Sequence, residues 1–149
     1  MSPRVNGTSG ALGVPSRMAP ENIGWPDLDT VFASPFVMLT TFRRSGVAVP
    51  TVVWAVKVDG RYLFTAPSTT GKVKRLAHTS RITAGPGDQR GRAKPGPVVE
   101  ARAHPVNDPA TLTSIRSALK KVSPVMSRVI ELRYRIKRDE RLVYEIVHP

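Results

Sequence analysis

Arg61 to Arg75, RYLFTAPSTTGKVKR, reads in three parts. Tyr62 to Thr65 is an aromatic, aliphatic and β-branched run that predicts a strand. Ala66 to Thr70 carries Pro67 and three hydroxyl residues and predicts a loop. Gly71 to His78 predicts a helix, with Val73, Leu76 and Ala77 at i, i+3, i+4 facing a core. Lys72 and Arg75, three apart, share the face that looks along the loop. Such a junction gathers free backbone N–H groups, hydroxyls and cations at one point, the combination that binds a phosphate.

Upstream, Phe36 to Phe42 is a nearly continuous apolar run that suits a strand buried on both faces. Arg43 to Gly46 is a polar hairpin connection, and Val47 to Val58 a second, long strand. Pro50 removes a ladder donor inside it, so that position is a bulge, an edge, or a place where a ligand replaces the neighbouring strand. Asp59-Gly60 is a strong two-residue hairpin turn. The three strands therefore form an antiparallel meander. Before them, Trp25-Pro26-Asp27 marks a helix start, with Leu28, Val31 and Phe32 on one face of a short helix to Ala33. Residues 1–22 are poor in large apolar groups and predict a disordered tail, leaving one domain over 23–149.

Downstream, Arg81 to Gly85 is a fourth strand, Gly87 to Pro97 an exposed loop, and Val98 to His104 an alternating fifth strand. Asn107-Asp108-Pro109 opens a helix with Leu112, Ile115, Leu119 and Val122 as its stripe. Ser123-Pro124 opens another, with Met126, Val129 and Ile130 on one side. The basic run Arg133 to Arg141 reads as a solvated turn, and Leu142 to Val147 as a closing strand. The expected fold class is α+β: an antiparallel six-stranded sheet able to close into a barrel, with helices outside it.

Composition narrows the function. The chain has 149 residues, 40% hydrophobic, with 23 Lys+Arg against 11 Asp+Glu, a formal net charge of +12. That excess favours a polyanionic partner. From Lys57 to Lys94, nine basic residues stand against Asp59 and Asp88. There is no cysteine and only three His, so disulfides and thiolate metal sites are excluded and a zinc site is not expected. The absence of a signal peptide or spanning segment makes cytoplasmic localisation the expectation, with no membrane role.

The run Thr41 to Arg92, TFRRSGVAVPTVVWAVKVDGRYLFTAPSTTGKVKRLAHTSRITAGPGDQRGR, resembles the split β-barrel flavin and deazaflavin oxidoreductases, the superfamily of pyridoxamine 5′-phosphate oxidase. Its most specific parts are Thr41–Pro50, Thr70–Arg75 and the Asp88-Gln89-Arg90-Gly91 loop. Within that superfamily it looks like the actinobacterial enzymes dependent on coenzyme F420, a deazaflavin. The resemblance implies a homodimer with the cofactor at the subunit interface. It places the cofactor phosphate against Ser68, Thr69, Lys72 and Arg75, and the ring along the second strand at Pro50, Thr51, Val52 and Val53, with Thr65 nearby. It implies hydride transfer between the reduced cofactor and a conjugated small molecule, and no catalytic side chain emerges. FMN is the alternative cofactor, with oxidase chemistry of the pyridoxamine phosphate type.

Other readings stay open. A protein of this barrel type could hold a cofactor without turnover. Nucleic-acid binding suits the charge, but aromatics are only 6% of residues and no nucleic-acid motif is present. Trp54 reads as core or dimer interface. Arg43 and Arg44 read as solubilising hairpin charges, and the Arg133–Arg141 run as a solvated turn with, as the subordinate reading, reach to the partner subunit's cofactor tail.

Overall fold

The computed structural model describes residues 26–149; Trp25 and the predicted tail at 1–22 lie outside the described residues. The elements run α1 (Pro26–Val31), β1 (Phe36–Phe42), β2 (Ala48–Val58), β3 (Arg61–Pro67), α2 (Gly71–Leu76), β4 (Arg81–Pro86), β5 (Val99–Val106), α3 (Pro109–Val122), α4 (Pro124–Lys137) and β6 (Arg141–Val147). The six strands close into an antiparallel barrel in the order β1-β2-β3-β6-β5-β4. Helices lie outside it, as the sequence predicts.

Local chemistry sets the corners. Asp59 and Gly60 both take positive φ, 52° and 76°, the geometry of a primed two-residue turn that matches the strand twist. Asp108 caps α3 through its side chain, accepting from the Ala110 N–H at 3.1 Å, with Pro109 in the first turn. Ser123 ends α3 and caps α4, accepting from the Met126 N–H.

Strand alternation divides the apolar residues into two clusters. Inside the barrel lie Val37, Leu39, Val53, Ala55, Tyr62, Phe64, Ile82, Tyr144 and Ile146, with Leu28 and Val31 of α1 packed on them. Outside, Trp54, Leu63 and Val143 meet Ile115 and Leu119 of α3, flanked by Met126 and Ile130 of α4. β1 departs from expectation: only alternate residues are fully buried, because its outer face is covered in part by loops and helices. The basic run departs further. α4 continues through Lys137, so Arg133 and Arg135 are helical and not part of a turn.

The barrel wall has one gap. β1 and β2 pair in unbroken register from Phe36↔Trp54 to Phe42↔Ala48. β2 and β3 pair only from Ala55↔Phe64 to Val58↔Arg61. β3 meanwhile continues along β6 as far as Pro67↔Arg141. Beyond Ala55 the two strands therefore diverge, and the barrel splits between them. The Ala55 N–H reaches the Pro35 carbonyl at 2.8 Å, so odd residues of β2 bond towards β1 and even ones face β3. Pro50 and Val52 consequently face the gap. Pro50 removes no ladder bond and causes no bulge; of the three options for this position, it sits on an open edge.

Candidate cofactor site

The split is flanked by two clefts that share Val52, Val53, Trp54 and Ile130. The first, about 380 Å³, adds Thr65 and Pro67 of β3, Thr69, Thr70 and Lys72 of the α2 start, Arg133, Tyr134 and Lys137 of α4, and Asp139. The second, about 420 Å³, adds Phe36, Thr51 and the Gln89-Arg90-Gly91 tip of the β4–β5 loop. Both volumes fall within the range of roughly 300–1,000 Å³ common for ligand sites.

The junction at the start of α2 retains its expected form with different bonding. Thr70 occupies the N-cap position but makes no side-chain cap; its hydroxyl donates to the Pro67 carbonyl at 2.9 Å. The N–H groups of the first turn are thus left without a side-chain acceptor. Thr69 donates its hydroxyl to Asp139 at 2.9 Å, tying the loop to the turn after α4. Lys72 is half-buried in the cleft wall and has no hydrogen-bond or ion-pair partner among the described residues. Burial, and then repulsion from Arg75, pushes its ammonium below the ordinary lysine value.

Opposite Lys72, α4 presents Arg133 and Lys137 to the same cleft, with Tyr134 between them. Burial pushes the Tyr134 phenol up, while its neighbours Arg141 and Thr65 pull it down by less. The Arg141 guanidinium lies 4.5 Å from the Tyr134 ring centre and pairs with Glu131, so its charge is spent within the wall. Trp54 is 7% exposed, and its Nε1 is buried without an acceptor among the described residues.

The residues expected from sequence divide accordingly. Val52, Val53, Thr65, Thr69 and Lys72 line the first cleft, and Thr51 the second. Pro50 stands on the lip outside both. Ser68 is committed to the β3–β6 ladder through its N–H, which donates to the Glu140 carbonyl at 2.9 Å. Arg75 keeps its guanidinium over Gly71 at the start of α2, where a Cβ would stand 2.7 Å from Nη1, and its charge acts on Lys72. Its Nε donates to the Thr41 hydroxyl at 2.6 Å, on the β1 side, and it lines neither cleft. Trp54, Thr70, Arg133, Tyr134, Lys137 and Asp139 also line the site; of these the ring was expected to reach Trp54, and the basic run only in a subordinate reading, towards the partner subunit's cofactor tail. The spacing of Met126, Ile130 and Tyr134, four apart, is the signal that α4 runs on and carries Arg133 and Lys137 with it.

No family model matches the chain, and no curated protein does. Solved structures do. A putative pyridoxamine 5′-phosphate oxidase from Listeria innocua superposes with a TM-score of 0.50 at 12% identity, covering 80% of this chain and 88% of its own. The fold is that of the split barrel. A FAD-binding protein from Mesorhizobium loti gives 0.56 at 12% identity, over 81% and 84% of the two chains. A heme storage protein from Vibrio cholerae gives 0.60 at 10% identity, over 84% and 89%. At such identities the likeness is one of architecture alone. No helix among the described residues is long and apolar enough to cross a membrane, and no cluster of His, Asp or Glu among them could hold a metal ion.

Proposed function

We propose that this chain is an oxidoreductase that binds coenzyme F420 across the β2–β3 split and uses it to reduce a conjugated small molecule. The observation that carries the reading is the cleft itself. Three cations, Lys72, Arg133 and Lys137, converge on it against the single carboxylate of Asp139, whose Oδ1 is already engaged by Thr69. A half-buried, unpaired lysine is costly to a fold and is stabilised by an anion. The lip beside it supplies the flat apolar surface of Val52 and Trp54 and the unpaired backbone of Val52, which suit a planar ring carrying hydrogen-bonding edges.

In this reading Lys72, the first-turn N–H groups of α2, Arg133 and Lys137 hold the anionic side chain of the cofactor. Val52 and Trp54 hold the ring and keep water from its face. The bound deazaflavin supplies a hydride when reduced. The chain's own part is to orient the acceptor, exclude water and offer donors, among them the Tyr134 hydroxyl in the cleft wall, whose pKa burial raises further. A homodimer belongs to the same proposal. The exposed stripe Val125, Val129, Leu132 and Ile136 on α4, at 75%, 48%, 53% and 70%, supports it as a surface beside the site that a second copy could cover.

FMN is the second reading, supported by the architectural likeness to a FAD-binding protein and a putative pyridoxamine phosphate oxidase. Parallel titrations with the deazaflavin, FMN and a mixed-sequence oligonucleotide, at low and moderate salt, separate them. The deazaflavin is expected to bind tightest. FMN preference would move the protein to the oxidase reading, and binding of the oligonucleotide alone would overturn both.

A further inference from the structure

The two clefts share a floor, so they form one trough with a cation at each end. Lys72 and the α4 cations close one end; the tip of the β4–β5 loop closes the other. That tip is built. The Asp88 carboxylate accepts from the Arg90 N–H at 2.9 Å, from the Arg92 N–H at 3.0 Å and from Arg92 Nε at 3.2 Å. Asp88 and Arg92 also join backbone to backbone at 2.9 Å, and Gly91 turns the chain at φ 84°. Gly87 lets the loop root press against the barrel: a Cβ there would stand 3.0 Å from the Met38 nitrogen and 3.2 Å from Val52 Cγ2.

The loop's one carboxylate is thus consumed within it, and by Arg92. Arg90 is exposed and lines the second cleft, whose other lining residues include no acid, and its guanidinium has no hydrogen-bond or ion-pair partner among the described residues. With the cofactor ring on Val52 and Trp54, an arginine on a braced turn beside Phe36 matches a flat molecule laid against that ring with a carboxylate at its edge. We propose that the second limb of the trough is the acceptor subsite, and that Arg90 selects planar, conjugated substrates bearing a carboxylate. This rests on the oxidoreductase reading, which assigns the cofactor to the first limb.

The carboxylate could instead belong to the glutamate tail of the cofactor, and the test distinguishes the two. Binding of 2-naphthoate and 2-naphthamide, alike in shape and different in charge, is measured by calorimetry on the full chain. Wild type, Arg90→Gln, Arg90→Lys and Lys72→Gln are compared, each also titrated with the deazaflavin. Wild type should prefer the acid by about tenfold, the value of one charge-assisted contact. Arg90→Gln should abolish that preference, Arg90→Lys should keep part of it, and Lys72→Gln should leave it intact while weakening the deazaflavin. A preference unchanged in Arg90→Gln overturns the proposal, as does no binding of the acid. Deazaflavin affinity that falls with Arg90→Gln overturns it too, by giving the carboxylate to the cofactor. If the acid preference follows Arg90 while neither deazaflavin nor FMN binds, the subsite stands and the cofactor reading fails.

Discussion

Arg61 and Lys72 stand at opposite ends of one strand-loop-helix unit, and the protein treats their charges in opposite ways. Arg61 has its charge answered inside the chain. Its guanidinium donates to Glu145 Oε1 at 3.1 Å and to the Thr111 hydroxyl at 3.2 Å, which in turn donates to Asp108. Side-chain exposures of 19% and 9% for Arg61 and Glu145 make this a buried pair, clamping β3, β6 and the start of α3. Lys72 is half-buried in the cleft with no ion-pair partner among the described residues. A cation paired on both sides holds the fold; a cation left unpaired in a cleft awaits something from outside.

Breaking the comparison at its structural end should have the largest effect. Glu145→Gln leaves Arg61 buried without its carboxylate, and urea unfolding is expected to show a loss of about 3 kcal/mol, the lower end for a broken buried pair because Thr111 remains. Loss below about 1 kcal/mol would place Arg61 with the solvated charges.

At the other end, Lys72→Met should cost little or no stability and at least about tenfold in deazaflavin affinity, the worth of one charge-assisted contact. The pH dependence sharpens this. Lys72 has a folded pKa below its unfolded one, so the folded state binds its proton less tightly. Stability therefore rises with pH between the lowered value and the ordinary lysine range, where the unfolded chain holds more protons. Thermal melts across that window should lose the rise in Lys72→Met. A bound anion favours the charged form, so cofactor binding there should take up a proton.

Arg133→Ala with Lys137→Ala tests whether α4 belongs to the site. Both residues are exposed on one side. Together they are expected to lower affinity by about fivefold and to flatten its salt dependence, measured by titration at several ionic strengths. An unchanged salt slope would return the basic run to the role of solvated surface. The smallest effect on binding belongs to Arg75→Ala. Because Arg75 is engaged with Thr41, this variant should lose about 1 kcal/mol of stability in urea and leave affinity within about twofold.

These variants also mark where sequence reasoning reached and where it stopped. Asp59-Gly60, the Asp108-Pro109 and Ser123-Pro124 helix starts and the alternation of β5 are local chemistry, and each appears where the residues predict it. Pro50 was legible as a position without a ladder donor, and the split explains it; Pro67, on the facing lip, carries the same mark. Lys72 was legible because its loop and helix are contiguous. The bond from Arg75 Nε to Thr41 was not, since it depends on how closely α2 packs on β1, while the same guanidinium still lies over Gly71. Arg133 and Lys137 were legible only as a subordinate contact to a cofactor tail, because charge density in that run obscured the apolar spacing that keeps it helical. Trp54 was read as core or dimer interface, and it is buried; that it also floors the trough depends on where β2 and β3 part.

The most direct measurement is a crystal structure of the full chain grown with the deazaflavin. The account predicts the cofactor's phosphate within about 3.2 Å of Lys72 Nζ, with Arg133 and Lys137 facing its tail and its ring along Val52 and Trp54. A phosphate bound elsewhere, beside Arg43 and Arg44 or on Arg75, would contradict it.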